Sequence, residues 1–349
     1  MFRKPKAVVG LDIGSSAVKA IELKASGKGY KVAAFGSEPL PPDSIVEGAI
    51  IDAGAVVAAI KRLFEANKQF RTKEVCASLS GNAVIVKKIT LPVMTEEELA
   101  QSIHWEAEQY IPFDIQDVNL DYQVLETGTS GTMEVLLVAA KKDKIGDYTS
   151  VIAQAGRNPV IVDVDAFALQ NAFEANYGLD REHTVVLLNA GASAINVNVI
   201  QGDQSVFTRD ISMGGNAYTE AVQKELDLSY ESAEQLKRGV PVDGATFEEA
   251  QPILHAVSEN VLLEIQKTFD FFRATAASER IDRIVVSGGA SRVDRFRDML
   301  QDRFDTTVEE FDPFKTVACD PALLGEQPAD AAATAAVAVG LALRRVSDR

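Results

Sequence analysis

One internal repeat constrains this chain more than any other feature. The segment Val8-Val9-Gly10-Leu11-Asp12-Ile13-Gly14-Ser15-Ser16-Ala17-Val18-Lys19-Ala20-Ile21 is echoed by Val185-Val186-Leu187-Leu188-Asn189-Ala190-Gly191-Ala192-Ser193-Ala194-Ile195-Asn196-Val197-Asn198. Setting Asp12 on Asn189 places Gly14 on Gly191, Ser16 on Ser193, Ala17 on Ala194 and Val18 on Ile195. Each copy reads as an apolar strand, a tight turn at glycine, and a second strand of alternating pattern. Two copies in register, half a chain apart, predict a duplicated α/β architecture. Two unrelated hairpins sharing turn chemistry are the alternative; as a duplication, two facing hairpins would clamp one phosphate chain between two domains.

The two turns have the makings of an anion cradle. Glycine lets the backbone approach a phosphate, and successive N–H groups form a nest. Ser15, Ser16, Ala192 and Ser193 keep the turns open, and the serines add hydroxyl donors. Asp12 ends an apolar strand, where a carboxylate needs water, donors or a cation such as a magnesium-bound water. Lys19 either brings positive charge to the phosphates or is a surface lysine on an alternating strand. A third glycine signal, Ser287-Gly288-Gly289-Ala290-Ser291, follows the strand Ile284–Val286 and precedes a helix over Val293 to Leu300. A fourth, Met213-Gly214-Gly215-Asn216, precedes a helix starting near Ala217. Glu234 and Lys237 lie three apart on a short helix ended by Gly239, so they share a face. They form an exposed ion pair or grip a ribose and a base.

Composition narrows the function classes. Lys plus Arg number 35 against 51 Asp plus Glu, a net charge of −16. This excludes an extended nucleic-acid face but not one local basic pocket for a small anion. Two cysteines, Cys76 and Cys319, with no CxxC, exclude a disulfide framework and a cysteine zinc site. His104, His183 and His255 lie far apart, which argues against a histidine metal site. No apolar run reaches the ~20 residues needed to span a bilayer. The basic start MFRKPK precedes too short an apolar run for a signal peptide. A cytoplasmic protein is expected, with any membrane contact made through a partner.

Between the first two turns the stretch Val84–Ala155 reads as a compact α/β insert. Thr95-Glu96-Glu97-Glu98 is a capping box opening a helix that carries Leu99, Ile103, Ala107 and Tyr110 and stops at Pro112. Strands over Val118–Val124 and Glu134–Ala140 flank a hairpin loop at Gly128–Gly131. Further on, Pro252–Arg273 reads as one amphipathic helix supporting the second half. Trp105 is a possible reporter of the insert.

With these residues in view, the chain resembles the actin-like ATPase superfamily, which includes actin, DnaK-type chaperones, sugar kinases and FtsA. There the first phosphate loop, second phosphate loop and adenosine loop come in this order: Asp12–Ser16, Asn189–Ser193 and Gly288–Ser291. Val164–Ala175 and Ala331–Leu343 look like the two interdomain connecting helices. More specifically the chain is similar to the PilM family of type IV pilus assembly. The resemblance runs through Glu106–Phe113 (EAEQYIPF), Val162–Ala168 (VDVDAFA), Met213–Ala217 (MGGNA) and Ala233–Lys237 (AEQLK).

This resemblance implies two duplicated RNase H-like domains with an FtsA-type 1C insertion. Residues 1–83 and 156–182 would form subdomain 1A, 84–155 the 1C insert, 183–330 the second domain, and 331–349 a returning connecting helix. It implies ATP or ADP with Mg2+ in the cleft, held by Asp12 (through water), Gly14, Ser15, Ser16, Lys19, Asn189, Gly191, Ala192, Ser193, Gly214, Gly215, Glu234, Lys237, Gly288, Gly289 and Ala290. It also implies a groove on the insert for the N-terminal cytoplasmic tail of PilN, with Tyr110, Ile111 and Phe113 as contacts. PilO and the pilus motor would follow indirectly, with the protein peripheral to the inner membrane.

One departure stands out: Asn189 occupies the position where active members carry aspartate. A neutral amide cannot act as a general base. Slow or absent turnover is therefore expected. The alternatives are an FtsA-like tether or filament former, or a kinase using Asp163 or Asp165. The tether ranks lower because the sequence stops directly after the second connecting helix. The two aspartates are more simply read as orienting the connector.

Overall fold

The computed structural model describes residues 7–127, 131–275, 280–325 and 327–346. The basic start, the hairpin tip 128–130 and the last residues, 347–349, lie outside the described residues.

The chain opens with an antiparallel meander of β1 (Val9–Ile13), β2 (Ala17–Ser26) and β3 (Gly29–Pro39). A two-stranded ribbon, β4 (Ile45–Val46) and β5 (Ala49–Ile50), leads into α1 (Ala53–Ala66). Asp52 caps α1 by accepting the Ala55 N–H at 2.9 Å. Val56, Ala59, Ile60, Leu63 and Phe64 line its buried face at helical spacing. The chain then returns as β6 (Glu74–Leu79), parallel to β1.

The insert follows as β7 (Val84–Pro92), α2 (Glu96–Glu108), β8 (Val118–Thr127) and β9 (Thr132–Lys141), in sheet order β7-β9-β8. The capping box is present: Glu98 N–H donates to Thr95 Oγ1, and Thr95 N–H donates to Glu98 Oε2. Next come α3 (Lys142–Gln154), β10 (Asn158–Val164) and α4 (Asp165–Tyr177). A boundary at Ala155 puts α3 in the insert, and the structure corrects this. Tyr148, Val151 and Ile152 are buried with Val9, Leu11, Ile60 and Leu63, so α3 belongs to the first sheet's core.

The second half repeats the plan. β11 (Asp180–Ala190), β12 (Ile195–Gly202) and β13 (Gln204–Ile211) form a meander. Then come α5 (Gly215–Leu226), α6 (Tyr230–Lys237), α7 (Phe247–Thr275), β14 (Arg283–Ser287), α8 (Phe296–Phe304) and β15 (Thr307–Glu310). The sheet orders are β3-β2-β1-β6-β10 and β13-β12-β11-β14-β15: in each, three antiparallel strands and then two parallel ones. The helix expected from Val293 starts at Phe296, because Gly289–Arg292 is a 3-10 turn.

The alanine-rich end is two helices rather than one, α9 (Pro328–Thr334) and α10 (Ala336–Leu343). α10 packs on α4 and β1. A Cβ on Gly340 would sit 1.7 Å from the Ala168 carbonyl oxygen, and one on Gly10 would sit 2.1 Å from that of Ala338. Small residues thus allow the close crossing that draws the two halves together.

Candidate functional site

A cleft of about 770 Å³ lies between the halves. Every residue expected to hold the nucleotide lines it, except Gly214.

The register of each half sets the turns. In the first, Asp12 pairs with Lys19 and Ile13 with Val18, and Gly14 N–H donates to Ala17 O at 3.1 Å. In the second, Asn189 pairs with Asn196 and Ala190 with Ile195, and Gly191 N–H donates to Ala194 O at 2.9 Å. The tips meet across the cleft, with Ser15 Oγ and Ser193 Oγ 2.7 Å apart. Lys19 is not a loose surface lysine. Its Nζ lies 3.0 Å from Asp12 Oδ2, and the two side chains are only 12% and 15% exposed.

The other glycines have distinct tasks. Gly288 has φ +87°, and a Cβ there would come within 2.2 Å of Ala190 O. No other residue fits that turn without moving backbone. At Gly289 the nearest atom to a Cβ is Thr334 Cγ2 at 3.7 Å, which leaves a flat face toward the cleft. Gly214 braces the second turn instead of lining the site: a Cβ would lie 2.6 Å from Gly191 O. Beside it, Gly215 N–H donates to Gly191 O at 2.9 Å and Asn216 N–H to Ala192 O at 2.8 Å.

Glu234 and Lys237 form a partly buried cluster, not an exposed pair. Lys237 Nζ lies 2.5 Å from Glu234 Oε2, 2.9 Å from Thr219 Oγ1 and 3.2 Å from Gly215 O. Burial lowers the Lys237 pKa, and Glu234 opposes that shift.

Sequence reasoning missed several cleft residues. Asp165 was read as orienting the connector or, in the kinase alternative, as a catalytic carboxylate; it lines the cleft and accepts from Ser78 Oγ at 2.5 Å. Desolvation, then the nearby charge of Asp12, pushes its carboxyl up to about 6. Asp163 does tie the connector: Arg344 donates to it at 3.2 Å. Asp210, near the end of β13, accepts from Asn196 Nδ2 at 2.7 Å and from Gly81 N–H. Burial raises its pKa against those two bonds. No glycine marks it; the only signal was an acid near the end of an alternating strand. Arg238 and Arg292 both reach Asp330, at 2.9 Å each, at the edge formed by α6 and α9.

On the insert, Ile111 is buried at 6% exposure in a core with Leu99, Ile103 and Val135. Tyr110 and Phe113 are half-buried at the rim of that core. Lys87 lies 5.2 Å from the Tyr110 ring centre and Lys141 4.1 Å from that of Phe113. Trp105 stands out from α2 at 74% exposure. Among the described residues, no helix is long and apolar enough to cross a membrane, and no cluster of three or more His, Cys, Asp or Glu could hold a metal ion.

Comparison with known proteins follows the geometry. The family described as "Type IV pilus assembly protein PilM" matches residues 10–346. A solved PilM-PilN type IV pilus biogenesis complex contains a chain 30% identical to this one, with a TM-score of 0.86, covering 99% of this chain and 100% of that one. The ethanolamine utilization protein EutJ from Carboxydothermus hydrogenoformans is 12% identical (TM-score 0.58, 98% and 90% covered). MreB 5 of Spiroplasma citri, solved bound to AMPPNP, is 14% identical (TM-score 0.53, 97% and 95% covered). The last two establish the actin-like fold alone. The duplicated actin-like core, its insert and a match running nearly end to end place this chain in the PilM family of type IV pilus assembly proteins.

Proposed function

We propose that this protein is a nucleotide-loaded adaptor of type IV pilus assembly. It binds the N-terminal cytoplasmic tail of PilN and so sits peripherally at the inner membrane. The observation that carries this reading is the end-to-end likeness to a chain solved as a PilM-PilN complex.

The cleft fits ATP or ADP with Mg2+. Its size suits a small ligand. The N–H groups of the two turns, the Ser15 and Ser193 hydroxyls and Lys19 suit a phosphate chain. As a single carboxylate in its turn, Asp12 suits a hydrated metal better than direct ligation in a cage of carboxylates. The open face at Gly289 and the Glu234–Lys237 cluster suit a nucleoside. Bound nucleotide supplies negative charge that draws both turns onto one ligand.

Turnover is slow in this reading. Asn189 donates to Asn196 Oδ1 at 3.1 Å and accepts from Ser287 Oγ at 3.3 Å, so its amide is engaged on both sides and carries no basic group. Asp165 keeps a kinase of the same superfamily as the second reading, because a cleft carboxyl held near 6 suits proton transfer. ATP turnover stimulated by one member of a sugar panel would favour it.

The partner is expected at the rim of the insert, as an extended peptide using pockets and edge pairing. Tyr110 and Phe113 supply the rim contacts, and Ile111 supports them from the core. Fluorescence anisotropy of a labelled PilN N-terminal peptide, titrated with protein and Mg-ATP, tests the adaptor reading against a scrambled peptide. Saturable binding of the true peptide alone is expected. No binding, with nucleotide uptake confirmed, sinks it. Phe113→Glu should abolish peptide binding while leaving nucleotide uptake and Tm intact; loss of all three would make Phe113 core.

A further inference from the structure

One row of polar side chains crosses the second sheet at a single register level. Asp210 on β13 is paired with Asn196 on β12, Asn196 with Asn189 on β11, and Asn189 with Ser287 on β14. Each step is also a side-chain hydrogen bond: Asn196 donates to Asp210 at 2.7 Å, Asn189 to Asn196 at 3.1 Å, and Ser287 to Asn189 at 3.3 Å. The row therefore runs from the third glycine turn, through the second, to the sheet's edge. There it leaves the domain, because the other oxygen of Asp210 accepts the N–H of Gly81.

Gly81 belongs to the first half and occupies a particular place. With φ +67° it opens the 3-10 turn Gly81–Ala83, which runs directly into β7, the first strand of the insert. Ser80, Gly81 and Asn82 also line the cleft wall. β13 and β7 are themselves in contact. One carboxylate thus holds the root of the insert with one oxygen and the second phosphate turn's row with the other.

We propose that Asp210 is a positioning residue through which the occupancy of the cleft is transmitted to the insert. This rests on the reading that the cleft takes a nucleotide. Filling it draws the second turn toward the ligand. The amide row moves with that turn because each member's hydrogen-bonding groups are committed to the next. Asp210 then tightens on Gly81 and orders the root of β7. Opening the halves separates Asp210 from the Gly81 N–H, so the bond has two discrete states, which an allosteric link requires.

Amide hydrogen exchange on the whole chain, with and without saturating Mg-ADP, tests this. In the wild type, exchange at Gly81 and in β7 should slow at least tenfold on adding Mg-ADP. In Asp210→Asn, which keeps the shape and puts an amide in place of the carboxylate, exchange is read at an Mg-ADP concentration that saturates the variant, with protection of the glycine turns as the marker of occupancy. The slowing at Gly81 and β7 should shrink to under twofold. Asn196→Ala, which cuts the row one strand earlier, should do the same, and it serves if Asp210→Asn does not fold. Mg-ADP uptake that leaves Gly81 and β7 unchanged in the wild type overturns the proposal. So does full wild-type slowing in either variant. A wild-type cleft that takes up no Mg-ADP overturns the nucleotide reading itself, and this inference with it.

Discussion

Across β1 and β2, Asp12 and Lys19 face each other as an ion pair at 3.0 Å. At the matching register positions of β11 and β12 stand Asn189 and Asn196, joined as neutral amides at 3.1 Å. The backbone is the same in both: each turn closes with a glycine N–H donating to the carbonyl three residues on. Duplication has preserved the geometry of the cradle while its chemistry has diverged. The first turn carries charge, suited to a phosphate and its metal. The second carries none; it offers donors and hands its position to Asp210 along a row of amides. The first turn keeps its two charges within its own pair, whereas the second gains its meaning from what it is wired to.

The two turns also differ in how tightly they are braced. A Cβ on Gly214 would strike the Gly191 and Ala192 carbonyl oxygens at 2.6 and 2.7 Å, and backbone there has nowhere to go. A Cβ on Gly14 would meet nothing closer than Ala17 O at 3.3 Å. Gly214→Ala should cost about 3 kcal/mol and Gly14→Ala about 1 kcal/mol or less, read by chemical denaturation. Equal costs would show that the second turn is no more rigid than the first.

A second contrast is titratable. Asp165 lies near the charged turn, and its folded pKa of about 6 is above its ordinary 3.8. Between those values the folded state holds more protons than the unfolded one, so this group's contribution to stability falls as pH rises from about 4 to 6. Asp165→Asn should remove a loss on the order of 2 kcal/mol across that window. Denaturation midpoints at pH 4 and pH 6.5 measure it; the same slope in variant and wild type would refute the assignment.

The smallest expected effect restores symmetry between the turns. Asn189→Asp should raise ATP turnover about tenfold from a slow basal rate, measured as phosphate release. Brisk wild-type hydrolysis with no gain in the variant would mean that the neutral second turn does not limit the chemistry.

Much of this was legible in the residues. The repeat predicted two matching strand–glycine turn–strand units, because apolar alternation and glycine act locally; the pairing of Asp12 with Lys19 and of Asn189 with Asn196 came with the structure. The capping box at Thr95 and Glu98 was equally local. Ile111 was not legible as core, since an apolar residue beside Tyr110 and Phe113 reads alike whether it points inward or along a groove. The place of α3 was hidden for a similar reason: its apolar face fits either neighbouring sheet, and only packing against Leu11, Ile60 and Leu63 selects the first. Asp165 read most simply as orienting the connector, and its raised pKa comes from burial and from Asp12, far away in the chain.

The sequence by itself determined the duplicated α/β plan, the three glycine turns and the neutral second turn, because periodicity, glycine and side-chain charge act over a few residues. Only the tertiary structure decided that Lys237 is partly buried, that Gly214 braces rather than lines the cleft, and that Asp210 meets Gly81. Those contacts join segments far apart in the chain, and they exist only once burial has brought two halves, α4 and α10 into one packed body.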